Sequence, residues 1–196
     1  MALMRPLASR DVDDAVAEML RTLGPHVTED WTVPAGSLEW SCWTTAAHVA
    51  HHLLAYAGQV AARPTATYLP FDLTIRTGAS PREVLEVITA SGGLLSAALA
   101  TAGPDAHAWH WGPTDPTGFA AMGVGEVLLH THDITQGLGV RWLPRGPICS
   151  AVIGRLFPDA PPGGPRQVLL WCTGRGELDG HPRRTSWRWQ AAVTDR

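Results

Sequence analysis

Lysine is absent from the 196 residues, so every Lys/Arg-type cation, 15 in all, is an arginine, and no basic stripe or run appears. With a formal net charge of -3 and a pI near 6.3, the composition disfavours nucleic acid or an anionic membrane surface as the main partner. Long hydrophobic runs are missing too: none approaches the ~20 residues that span a bilayer. The opening stretch, MALMRPLASRDVDD, lacks the extended apolar segment of a secretory signal. Cysteine is scarce. Cys42, Cys149 and Cys172 are odd in number and widely spaced, which fits neither a disulfide framework nor a zinc ribbon. Buried free thiols and a cytoplasmic location are expected. Internal repeats and low-complexity tails are also lacking.

The residues that are present point to a core-forming chain. Hydrophobic residues make up 45% and charged residues 17%, a globular balance for a single domain over 1–196. A first helix is expected after Ser9, with Asp11 and Asp13 in its first turn, ending at Gly24-Pro25. A Trp-containing connector, Trp31 to Trp40, leads to a second helix over Thr44 to Ala62. Residues 65–75 are β-prone but contain Pro70, which suggests a short extended passage. Ser80-Pro81-Arg82-Glu83 has the form of a helix start, with Ser80 as cap and Glu83 three residues later; that helix should reach Thr101. A loop with the Trp109-His110-Trp111 cluster precedes a fourth helix over Phe119 to Gln136, stopped at Gly137 or Gly139. A shorter helix, Ile148 to Phe157, and the linker PDAPPGGPR follow. Val168 to Cys172 and Ser186 to Val193 read as strands. The pattern is mainly α: a four-helix bundle over about 9–158 with a small C-terminal β segment over about 166–193. Such bundles build ligand sites from side chains projecting inward from facing helices.

The strongest chemical signal is in the fourth helix, where Glu126 is the only charged residue between Gly118 and His130. Positions four apart share a helix face, so Glu126 and His130 point the same way, with Met122 one turn before them. A carboxylate facing a core is costly unless it is paired or bound to metal. One oxygen and one nitrogen ligand suit zinc and similar ions, although a Glu-His hydrogen bond gives the same pattern. Asp133 could orient the His130 ring, while His132 falls on the other side. The second helix carries His48, His51 and His52, and periodicity does not choose among them. A third protein ligand would leave an open position, the arrangement of catalytic zinc.

Three segments carry a family resemblance. CWTTAAHVAHHL looks like the start of the second helix in the mycothiol-dependent maleylpyruvate isomerase family of the DinB-like superfamily. GFAAMGVGEVLLHTHDITQGLGV resembles that family's Glu-x-x-x-His-x-x-Asp helix, and LLWCTGR and SWRWQ are similar to the C-terminal strands of actinobacterial DinB-like proteins. The resemblance implies a DinB-like bundle and a divalent ion, often zinc, held by one histidine of the second helix and the Glu and His of the later one. Matched motif to motif, the ligands are His51, which follows Val49-Ala50, with Glu126 and His130. It also implies mycothiol or a similar thiol as cosubstrate. The larger isomerases carry a longer C-terminal domain with a substrate-handling arginine. This chain has only a short version, in which Arg175 is the candidate.

These readings lead to an expected metal-dependent isomerase or thiol transferase acting on a small electrophilic substrate, with no nucleic-acid or membrane partner. A metal-held thiolate would add to an electrophilic carbon. His110, between two tryptophans, is the candidate acid/base group and Arg175 the candidate anion-binding group. Trp43, Trp111 and Met122 are expected to line the cosubstrate pocket. The rival readings are a non-catalytic binding protein that uses the same cavity, and a metal-using hydrolase or tailoring enzyme that needs no thiol.

Overall fold

The fold was obtained as a computed structural model that describes residues 5–193; the expectations for Met1–Met4 and for the last three residues lie outside it. The first helix, α1 (Ser9–Leu23), begins where Asp11 accepts a hydrogen bond from the Ala8 amide at 2.8 Å and the Arg5 fork at 2.7 Å. A short 3-10 turn (Gly24–His26) contains the expected Gly-Pro stop. Ser41 caps α2 (Cys42–Ala62) by accepting from the Thr44 amide. The capping box at α3 (Pro81–Thr101) forms as the sequence requires: Ser80 N donates to Glu83 at 2.7 Å, and Glu83 N donates back to the Ser80 hydroxyl at 3.3 Å. Asp115 caps α4 (Pro116–Gly137), and two shorter helices follow, α5 (Gly146–Leu156) and α6 (Pro165–Cys172).

The molecule is mainly helical, and α1 to α4 form the bundle. Helices α1 and α2 each pack against both α3 and α4, while α5 and α6 pack on one another and α5 on α4. Helix α4 is buried on every side from Gly118 to Thr131, as expected for a helix that is apolar around its whole circumference. Glycine makes this close approach feasible: a Cβ at Gly137 would lie 2.4 Å from the Pro34 carbonyl and 2.6 Å from the Cys42 sulfur. Each fully buried Leu, Met or Phe side chain of this core, such as Leu53, Leu95, Phe119 and Met122, contributes about 1.5–3 kcal/mol of transfer free energy.

Helix α3 is long and apolar enough to cross a membrane, with a mean hydropathy of 1.6 over its best window, contrary to the expectation that no such segment exists. Here it is a bundle helix, turning Val84, Leu85, Ile88, Leu95 and Leu99 inward against its neighbours. All three cysteines are buried and free.

The small β element lies elsewhere than expected. It is a two-stranded antiparallel hairpin, β1 (Ala108–Trp109) and β2 (Pro113–Thr114), inserted between α3 and α4. The segment Val168 to Cys172, read as a strand, belongs to α6. A short apolar run does not distinguish a strand from a buried helix turn, and its buried residues Val168, Leu169, Trp171 and Cys172 follow helical spacing. Residues 186–193 pair with no strand among the described residues. They are fastened by single bonds: Gln190 N to Leu156 O at 3.1 Å, Val193 N to Pro113 O at 2.8 Å, and the Arg155 guanidinium to Ala191 O at 2.6 Å.

Candidate metal centre

Glu126 sits on the inward face of α4, 4% exposed, and its two oxygens have different surroundings. Oε1 accepts from the Tyr56 hydroxyl at 3.1 Å and the Trp189 indole N–H at 3.0 Å, and lies 3.0 Å from His52 Nδ1. Oε2 lies 3.3 Å from His130 Nε2 and 3.8 Å from His48 Nε2. Burial pushes the carboxyl pKa up, but the hydrogen bonds and charges of His130 and His52 outweigh it and hold Glu126 well below the usual carboxylate range.

His130, one turn along α4, is oriented from behind. Its Nδ1 lies 3.0 Å from Asp133 Oδ2, which directs Nε2 at Glu126. Burial lowers its pKa, yet the bonds to Asp133 and Glu126 leave it raised. Asp133 is in turn gripped by Arg175, whose Nε and Nη2 donate to it at 2.7–3.0 Å. Burial opposes ionisation of Asp133, and the bonds from His130 and Arg175 override it, so the carboxyl is held below its ordinary range.

Helix α2 supplies His48, His52 and Tyr56, four residues apart and therefore on one stripe. One atom each from His48, Glu126 and His130 forms a set whose members all lie within 4.8 Å of one another. Burial and the neighbouring His52 bring the His48 pKa down to about 3, so its imidazole is neutral and able to act as a ligand at neutral pH. In a tetrahedral site with bonds of about 2.0–2.1 Å, neighbouring ligand atoms are about 3.3 Å apart. The Glu126–His130 separation matches this spacing and that of His48 is somewhat wider. One carboxylate oxygen and two imidazoles, one of them backed by a carboxylate, fit a borderline divalent ion.

His51 is not in this set. It lies on the next face of α2, where its Nδ1 accepts from the Leu73 amide at 3.1 Å and its Nε2 is 3.9 Å from Asp72. The residue chosen from motif order therefore faces the passage before α3, and helix phase puts His48, not His51, beside Glu126 and His130. His52 is one of the three histidines among which periodicity does not choose, whereas Tyr56 is absent from the sequence-based candidates although it continues the same four-residue stripe. Nothing local in the sequence signalled Trp189, which arrives from a distance of 63 residues.

The centre forms the floor of an open cavity of about 570 Å³, with Trp40, His110, Trp111, Arg175 and Trp187 among its walls. His110 is 7% exposed, with a pKa lowered to about 4 mainly by burial, and Trp111 stands 64% exposed at the rim. Arg175 reaches the cavity, but its fork is committed to Asp133 and its remaining nitrogen donates to Thr173 O at 3.2 Å. It is therefore no free anion receptor. Trp43 and Met122 do not line the cavity. Trp43 packs beside the core and donates to Ala79 O at 2.7 Å, and Met122 is fully buried between the helices. His132, on the other side of α4, is half-buried.

No curated protein and no solved structure matches the chain. A family model does, that of the mycothiol maleylpyruvate isomerase N-terminal domain, over residues 12–135. This span is more than half of the chain and contains His48, Glu126, His130 and Asp133. The chain belongs to the mycothiol maleylpyruvate isomerase N-terminal domain family.

Proposed function

We propose that this protein is a metal-dependent enzyme of the cytoplasm that uses a low-molecular-weight thiol, such as mycothiol, to isomerise a small electrophilic substrate or to transfer sulfur to it. The observation that carries this reading is the His48, Glu126 and His130 set at the floor of a cavity large enough for small molecules. These three residues would hold the ion, zinc being the divalent ion best suited to two imidazoles and a carboxylate. When bound, the ion would supply a Lewis-acidic position that favours the thiolate form of a thiol near neutral pH.

The chain's own residues do the rest. With an ion bound, Asp133 would hold the Nδ1 proton of His130 and leave its Nε2 lone pair for the ion. Tyr56, whose pKa burial and Glu126 raise well above the ordinary range, stays protonated and donates to Glu126. His110 is neutral at neutral pH and stands in the cavity wall, where it can accept a proton released by the thiol or return one to the carbon next to the new C–S bond. If that bond persists, the outcome is thiol transfer. If sulfur is expelled and the proton is relocated, the outcome is isomerisation. Trp40, Trp111 and Trp187 give the mouth an apolar rim that favours an unsaturated, poorly hydrated acceptor.

The test is to load the protein with Co²⁺ and titrate it with mycothiol. A new sulfur-to-cobalt charge-transfer absorption is expected, absent with the S-methylated thiol. A cobalt spectrum indifferent to the thiol would reject the thiol-dependent reading.

A further inference from the structure

We infer that the chain beyond the family-matched region is a working part of the metal centre: Trp189 determines which oxygen of Glu126 faces the ion, and Arg175 fixes the orientation of His130. This inference rests on the metal site proposed above and extends it to residues that reach the site from outside the matched span.

The asymmetry of Glu126 supports the first half. An ionised carboxylate offers about two acceptor positions per oxygen, and Oε1 is already surrounded by the Tyr56 hydroxyl, the Trp189 N–H and His52 Nδ1 at 3.0–3.1 Å. Only Oε2 is left facing His48 and His130, so the carboxylate is presented through one oxygen. Trp189 is 7% exposed and its ring lies against Gly125, where a Cβ would come within 2.9 Å of it. The glycine next to the ligand therefore makes room for the indole. The chain directly after Trp189 is held by the bonds of Gln190, Ala191 and Val193 to Leu156, Arg155 and Pro113, so the indole is anchored where its N–H meets Glu126.

Arg175 supports the second half. Gly174 turns the chain at φ +71, with no space for a side chain because the Arg184 carbonyl lies 2.9 Å from its Cβ position. This turn delivers Arg175 to Asp133, with side-chain exposures of 8% and 4%. The fork uses all three nitrogens, two of them on Asp133, a geometry that lysine does not reproduce. Trp187 joins the two halves, with its ring 5.8 Å from the Arg175 guanidinium carbon and 4.7 Å from the Trp189 ring.

The experiment measures Zn²⁺ affinity by chelator competition, and the Co²⁺ visible spectrum, on the full chain and on Trp189→Phe, Tyr56→Phe, Arg175→Met and Arg175→Lys. Gln190→Ala, an exposed position on the same segment, serves as the control. Loss of an outer support weakens metal binding about 10–100-fold. We expect that loss for Trp189→Phe and Arg175→Met, a shifted Co²⁺ band for Trp189→Phe and Tyr56→Phe as Oε1 is freed, and an intermediate affinity for Arg175→Lys. Folded Trp189→Phe and Arg175→Met proteins with the parent's affinity and spectrum would overturn the inference. Should Trp189→Phe not melt cooperatively, the Tyr56→Phe spectrum and the Arg175 pair decide it by the same criteria. A parent protein that takes up neither ion would instead remove the metal site itself, a result distinct from an unaffected variant.

Discussion

At the residue scale, Glu126 lies at the middle of the candidate site. A buried, ionised carboxylate is tolerable only because its oxygens are surrounded by histidine, tyrosine and tryptophan donors. That Glu126 and His130 share one buried face was legible in the sequence, because a lone acid in an apolar helix stands out. The choice among the three histidines was not, since it depends on the rotation of α2 relative to α4. That rotation makes a prediction. His48→Ala should lose most of its bound metal, whereas His51→Ala should retain it, because His51 faces the Leu73 amide and Asp72 instead. Metal content of the two variants measured side by side checks this, and the reverse pattern would restore the ligand set implied by motif order.

Close approach governs the element scale, and the glycines report on it. Gly93 lies inside α3 with open space around its missing Cβ, so Gly93→Ala should stabilise the protein by about 0.5–1 kcal/mol through helix propensity alone. Gly137 meets the Pro34 carbonyl and the Cys42 sulfur, so Gly137→Ala should destabilise it by about 1–3 kcal/mol through overpacking. Denaturant midpoints of the two variants should move in opposite directions, and movement in the same direction would contradict the packing described. The helices with explicit start signals were legible to within a few residues: Ser80-Pro81-Glu83 opens α3, and Gly137 ends α4. Helix α6 was misread as a strand although Pro165 after two glycines is a helix start, because the apolar run VLLWC outweighed it. The 186–193 segment has the alternating burial of a strand at Trp189 and Ala191, but among the described residues no strand pairs with it.

Histidine burial gives the whole molecule a pH dependence. Burial holds His48 at about 3 and His110 at about 4, and lowers His51 and His132 in the same direction. Between those values and the unfolded value of about 6.5, the unfolded chain binds more protons than the folded one, so stability falls as pH falls. His130 opposes this trend: its raised pKa stabilises below the unfolded value, and the gain is lost as pH rises through the folded one. Glu126 and Asp133, both depressed, keep their contribution above the ordinary carboxylate range and lose it only as pH drops through their folded values. Four lowered histidines against one raised give a net loss on acidification. Chelator-treated protein should therefore melt at a lower temperature near about pH 5 than near about pH 7, with a shallower dependence in His110→Gln. A flat or inverted profile would contradict the burial of these rings.

Whether His48, Glu126 and His130 form a site for one divalent ion is decided by elemental analysis of protein purified without chelator and then equilibrated with Zn²⁺ and desalted. About one ion per chain is expected, with a melting temperature raised by the bound metal and loss of both in Glu126→Ala. A parent protein that emerges with no stoichiometric metal and an unchanged melting temperature would contradict such a site.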